Sequence, residues 1–155
     1  MGFEDGLKIA GSALSAQRLR MNTISNNLAN AQTTRTAEGG PFQRQEVVFQ
    51  PRFHNTLLER VRAARTDTGH LPFEQARNHG GVIASQIQDD TSAGREVYEP
   101  GHPDANAEGY VLYPNINVVQ EMTNMMSANR SYEASVTAFQ SMKSMALKAL
   151  EIGRA

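Results

Sequence analysis

Apolar residues recur in alternating steps of four and three near the start of the chain: Phe3, Leu7, Ala10, Leu14, Met21, Ile24, Leu28 and Ala31, with Gln17 as the polar member of the series. Two such steps make seven residues, close to two turns of α-helix, so these positions line one seam. The pattern predicts a helix that begins near Glu4 and Asp5, whose carboxylates suit a helix N-terminus, and runs to about Asn30. Such a helix is roughly 40 Å long. Gly6 and Gly11 weaken its start by about 1 kcal/mol each relative to Ala. Lys8, Ser12, Arg18, Arg20, Asn22, Asn26 and Asn30 lie off the seam, and Ile9 and Leu19 are the main apolar exceptions. A narrow seam on an otherwise polar helix is marginal in water alone and needs a partner surface.

A second long pattern begins at Asn117, a good N-cap, with Gln120 in capping-box spacing. It continues without Gly or Pro to Ile152, and Gly153 supplies a stop. Its stripe reads Val118, Met122, Met125, Asn129, Tyr132, Val136, Phe139, Lys143, Ala146 and Leu150. Met126, Met142, Met145, Leu147 and Ile152 widen it, so this helix carries more than one apolar seam. Pairing inside the chain consumes one of them.

Between the helices, Gln32 to Pro41 is dense in Thr, Gly and Pro and breaks the first helix. Four strands are predicted: 45–50, closed by Pro51; 81–88; 95–98, stopped by Pro100; and 109–113, stopped by Pro114. Leu57, Leu58 and Val61 suggest a short helix, Arg60, Arg62 and Arg65 a solvated face, and Thr66 to Gly81 a loop. The expected fold is α+β, with the terminal helices packed as an antiparallel coiled-coil pair and a small β-rich domain inserted between them. The expected division is 1–34 plus 115–155 for the helical domain and 35–114 for the β-rich one.

Composition narrows the function classes. A net charge of −1 and no long run of like charge give no pull toward nucleic acid or an anionic membrane. The absence of cysteine excludes disulfides, thiolate metal sites and Cys nucleophiles. The acidic start is unlike a signal peptide, and no apolar run is long enough to span a bilayer. His54, His70, His79 and His102 lack metal or catalytic spacing and read as surface residues. Asp104 to Gly109 resembles the opening of an EF-hand loop, but Asn115 stands where a bidentate carboxylate belongs, so it reads as a turn into the last strand. The sequon at Asn129 sits mid-helix and is discounted. No catalytic, cofactor-binding or metal-binding residue is expected. Asn22, Asn26 and Asn30 form an i, i+4 ladder, with Asn27 beside it. That ladder is either a solvated face or a second contact face that donates and accepts toward neighbouring helices.

The run Ser12 to Ala31, including Ser25-Asn26-Asn27-Leu28-Ala29-Asn30, resembles the N-terminal signature of bacterial flagellar axial proteins, the rod and hook proteins. His102 to Tyr110, Pro114 to Met122 and Ala128 to Ala134 narrow the resemblance to the proximal rod. The resemblance implies a structural subunit without enzymatic activity or cofactor. It implies export through the flagellar type III apparatus without a cleaved signal, and assembly into a rod that crosses the periplasm and carries torque from the rotor (MS) ring to the hook. Expected partners are copies of the chain and other rod proteins, with neither nucleic acid nor membrane insertion. The terminal helices form the inner tube in such proteins, so the expected assembly residues are Leu7, Leu14, Met21, Asn22, Ile24, Asn26, Leu28, Asn30, Val118, Met122, Met125, Tyr132, Val136 and Phe139. Asp at Leu14 or Leu28 is expected to abolish assembly and spare the middle domain. The alternatives are a cytoplasmic coiled-coil adaptor and a small hydrolase in the β-rich middle.

Overall fold

The computed structural model describes residues 3–53 and 79–153. The short helix and arginine face expected between 57 and 65, and most of the expected loop up to Gly81, lie outside the described residues. The two long helices form where their periodicity places them, as α1 (Phe3–Ala29) and α2 (Val118–Ile152). Asn117 caps α2 from an extended backbone, its side chain accepting from the N–H groups of Val119 and Gln120. At the far end the Gly153 N–H donates to Ala149 O, with Gly153 in right-handed helical geometry.

The helices run antiparallel. Asn27 meets Glu121 at one end, and Gly6 abuts the Met142 sulfur at the other. α2 therefore continues for about 10 Å beyond the start of α1, from about residue 146 to 152. The seam that α2 turns inward is offset from the stripe read in the sequence. Glu121, Met125, Ala128, Tyr132, Val136, Phe139, Met142 and Ala146 are buried or half-buried, while Val118, Met122, Asn129, Lys143 and Leu150 are exposed. Two features account for the rotation. Ala128 is fully buried and lets the helix backbones approach, and Glu121 turns inward toward Arg44 and Asn27.

Among its described residues the middle segment makes two antiparallel pairs. β1 (Gln45–Phe53) and β2 (His79–Asp89) form a long ribbon, in register from Gln45 opposite Asp89 to Phe53 opposite His79. Val48 faces Gln86 and Phe49 faces Ala84, so Ser85 is the extra residue of a bulge, its hydroxyl donating to Val48 O. β1 runs through Pro51, where the sequence suggested an end. A strand with one unpaired edge accommodates a residue that lacks an N–H. β3 (Arg95–Tyr98) and β4 (Tyr110–Tyr113) form a shorter pair around buried Val111, with Tyr98 and Tyr110 edge to face at 5.3 Å. The turn into β4 is as expected. The Asn106 carboxamide oxygen accepts from the N–H groups of Glu108 and Tyr110, and Gly109 takes φ +83° beside Tyr98. Asp104 accepts from the Thr34 hydroxyl at 2.8 Å and lies 3.8 Å from Arg35, tying this turn to the exit of α1.

The long ribbon packs along α1 on a face different from the one that meets α2. Ile9, Ser12, Ala16, Leu19, Thr23 and Asn27 form this second line on α1, at steps of three and four. Ala16 and Thr23 are buried. The Ser12 hydroxyl donates to Ile9 O at 2.7 Å and accepts from Val82 N–H at 3.1 Å. α1 is thus the middle layer, with α2 on one side and the ribbon on the other.

Candidate functional site

The residues expected on the assembly face divide into two sets. Leu7, Leu14, Met21 and Leu28 are half-buried and Ile24 is buried, along the α1 seam that meets α2. Met125, Tyr132, Val136 and Phe139 are half-buried on the facing helix. Val118 and Met122 instead point outward, 43% and 54% exposed. Leu14 and Leu28 face the chain's own partner helix, so Asp at either position perturbs the helix pair as well as any contact between subunits.

The asparagine ladder is partly satisfied within the chain. The Asn26 amide donates to Gln45 Oε1, and Asn30 donates to Asn26 O and Oδ1 at 2.9 and 3.0 Å. Thr33 donates in turn to Asn30 Oδ1. Asn22 and Asn26 are exposed and Asn30 is half-buried.

Asn27, beside the ladder, is fully buried and centres a polar cluster. Its carboxamide pairs with the main chain of Gln45 as a strand residue would: Oδ1 accepts from Gln45 N–H and Nδ2 donates to Gln45 O, both at 2.8 Å. Nδ2 also donates to Glu121 Oε2 at 3.2 Å. The other carboxylate oxygen of Glu121 accepts from Arg44 Nε and Nη2, each at 3.0 Å, and from the Asn124 amide at 3.4 Å. Glu121 is 1% exposed, so its charge is matched by Arg44 and surrounded by donors, as a buried carboxylate requires. Burial opposes the charge on Arg44, but the hydrogen bond and attraction of Glu121, aided by Glu46, outweigh it and raise the guanidinium pKa. Sequence reading passed over Arg44 and Glu121. The available signal was an acidic residue in the first turn of α2, on the flank that packing then turned inward.

Apolar exposure gathers at the two ends of α2. Val118, Val119, Met122 and Met126 lie at its start, and Met145, Leu147, Leu150 and Ile152 at its end. Beside the start, Leu28, Ala31, Ile116 and Val118 contribute to an open cleft of about 720 Å³. At the far end Leu150 and Ile152 are 66% and 79% exposed, where α2 has outrun α1. A helix with apolar residues on several faces and no cover is built to be surrounded. Of the four histidines, only the side chain of His102 lies among the described residues, where Nδ1 accepts from Asp104 N–H. No described helix is long and apolar enough to cross a membrane.

Two terminal helices that bracket a β-rich insert and leave apolar ends uncovered define the class: an assembly subunit whose helix ends await neighbours. Residues 7–35 match a family profile described as "Flagella basal body rod protein". Residues 107–152 match one described as "Flagellar basal body rod FlgEFG protein C-terminal". Relatives named flagellar basal-body rod protein FlgC are similar along almost the whole chain. The one from Borreliella burgdorferi is 40% identical over 98% of both chains, that from Bacillus subtilis 41% over 96% of both, and that from Escherichia coli O157:H7 40% over 94% of both. The chain belongs to the FlgC family of flagellar basal-body rod proteins. The cytoplasmic adaptor reading is not favoured by these relatives.

Proposed function

We propose that the chain is a non-catalytic structural subunit of the flagellar rod. It assembles with copies of itself and with other rod proteins into a tubular shaft that carries torque from the rotor ring to the hook. Residues 1–34 and 115–155 form the inner tube, and 35–114 lie outside it. The subunit leaves through the flagellar type III export apparatus without losing a signal peptide and resides in the rod as it crosses the periplasm. The observation that carries this reading is the placement of exposed apolar side chains at both ends of α2, while the α1 seam is already occupied within the chain. Of the expected assembly residues, Val118, Met122 and Asn22 face neighbours, Asn26 and Asn30 bond the ribbon and α1 itself, and the others hold the helix pair that presents them.

The test uses outward positions. Met122→Asp and Leu150→Asp together are expected to leave helicity and thermal midpoint of the purified chain unchanged, since both side chains are exposed. They are expected to remove the chain from detergent-resistant basal bodies and to abolish motility. Normal swimming with the double variant in the rod fraction sinks the proposal.

A further inference from the structure

The packed faces of α1 and α2 both repeat in heptads, and such a seam does not by itself choose its register. Extending the helices between their two anchors brings Ala10 within one residue of Phe139, Leu14 within one of Ser135 and Met21 within one of Ala128. A slip of one heptad brings Ala10 near Tyr132 or Ala146 and Leu14 near Ala128 or Met142, so the apolar contacts at these positions discriminate weakly between registers. Glu121 does not slip freely. It is 1% exposed and takes donors from three places in the chain: Asn27 on α1, Arg44 at the entry to β1, and Asn124 on α2. Asn27 is meanwhile fixed to the main chain of Gln45. The register that pairs Gly6 with Ser135 keeps the carboxylate at the helix interface, level with Arg20 but without Asn27, and the register that pairs Gly6 with Ala149 carries it past the end of α1; either slip gives up the joint Asn27 and Arg44 contacts that the native register makes.

We propose that Glu121, with Asn27 and Arg44, is the register key of the helix pair: a positioning cluster that selects one alignment of α1 on α2 from several that the apolar seams would accept. The same cluster holds the start of β1 against both helices, so helix register and ribbon placement are set at one point. If the assembly reading above also holds, the key sets how far α2 projects beyond α1, and one heptad of slip changes that projection by about 10 Å.

The chain has no cysteine, so introduced pairs report register without background. In the full-length purified chain, Gly6→Cys with Met142→Cys reads the native register. The second change also removes the side chain that a Cβ at position 6 would meet. Gly6→Cys with Ala149→Cys or with Ser135→Cys reads a slip of one heptad in either direction. In the otherwise unchanged chain a short bifunctional maleimide is expected to link 6 to 142 and neither of the others. In Glu121→Leu the 6–142 product is expected to fall about two-fold or more, with 6–149 or 6–135 product appearing and helicity by circular dichroism retained, because heptad-related seams are near-equal in energy. Glu121→Gln, which keeps acceptor and shape, is expected to restore the 6–142 product. Exclusive 6–142 linkage in Glu121→Leu overturns the proposal, as does loss of helicity there, which marks the cluster as a source of stability and not of register.

Discussion

Gly81 is the position where one methyl group tests the junction between α1 and the ribbon. It sits in β2 with φ +111°, a conformation that disfavours an L side chain by about 1–2 kcal/mol. A Cβ there falls inside van der Waals distance of the Ser12 hydroxyl and 3.4 Å from Ile9 Cα. Ser12 has little freedom to yield, since its hydroxyl is bonded to both Ile9 O and Val82 N–H. Gly81→Ala therefore adds an overpacking cost of about 1–3 kcal/mol and the loss of a hydrogen bond worth about 1 kcal/mol. The expected destabilisation is about 3–6 kcal/mol. Urea unfolding should show the midpoint falling by about 1 M or more, and amide exchange at Val82 should accelerate while the α1–α2 amides stay protected. Ser12→Ala alone costs about 1–3 kcal/mol by leaving the Val82 N–H without its acceptor. Because it removes the atom that the added methyl group would strike, the double variant should be at least about 1 kcal/mol better than additive. A Gly81→Ala chain within about 0.5 kcal/mol of the parent, or a strictly additive double variant, refutes the reasoning.

Ala128→Leu inserts a larger side chain at a fully buried position of α2 and is expected to cost about 1–3 kcal/mol in chemical denaturation; an unchanged midpoint would mean that the site has room to spare. Asn117→Ala removes the acceptor for two N–H groups at the start of α2 and should lower stability by about 1 kcal/mol, with Asn117→Ser recovering most of it. The Ser92 hydroxyl and N–H hold the Asp90 carboxyl below its ordinary range. A depressed folded-state value means that the contribution is present above the ordinary value and is lost as pH falls through the folded one. Chemical shifts of the Ser92 amide should therefore titrate below about pH 4, and Asp90→Asn should remove that step.

Both helices were legible because their apolar periodicity persists over many turns and because Asn117 stands directly before the second. The strands were legible where β-branched residues lie between Gly and Pro, although Pro51 misled: it breaks a central strand but not one with a free edge. The second face of α1 was not legible. Ser12 lies off the apolar seam, Thr23 carries no pattern signal and Asn27 stands beside a ladder that suits either solvent or a neighbouring helix, yet each uses its polar atoms on main-chain groups of the ribbon or of α1 itself. The rotation of α2 was hidden for the same reason. Hydrophobicity places Met122 inside and Glu121 outside, and a single arginine brought from the middle of the chain reverses them. Periodicity identifies which residues share a face; it does not state which face wins when a buried ion pair competes with a methionine.

The attachment of the ribbon to α1 has a mechanical consequence. It is bonded at Ser12 and at Asn27, fifteen residues apart on the helix, or about 22 Å. A body fastened at one point swivels about that point; one fastened at two separated points resists rotation through the lever arm between them. A sideways push on the ribbon is therefore borne as opposed tension and compression at two short hydrogen-bonded contacts. The ribbon and α1 then turn as one piece under load.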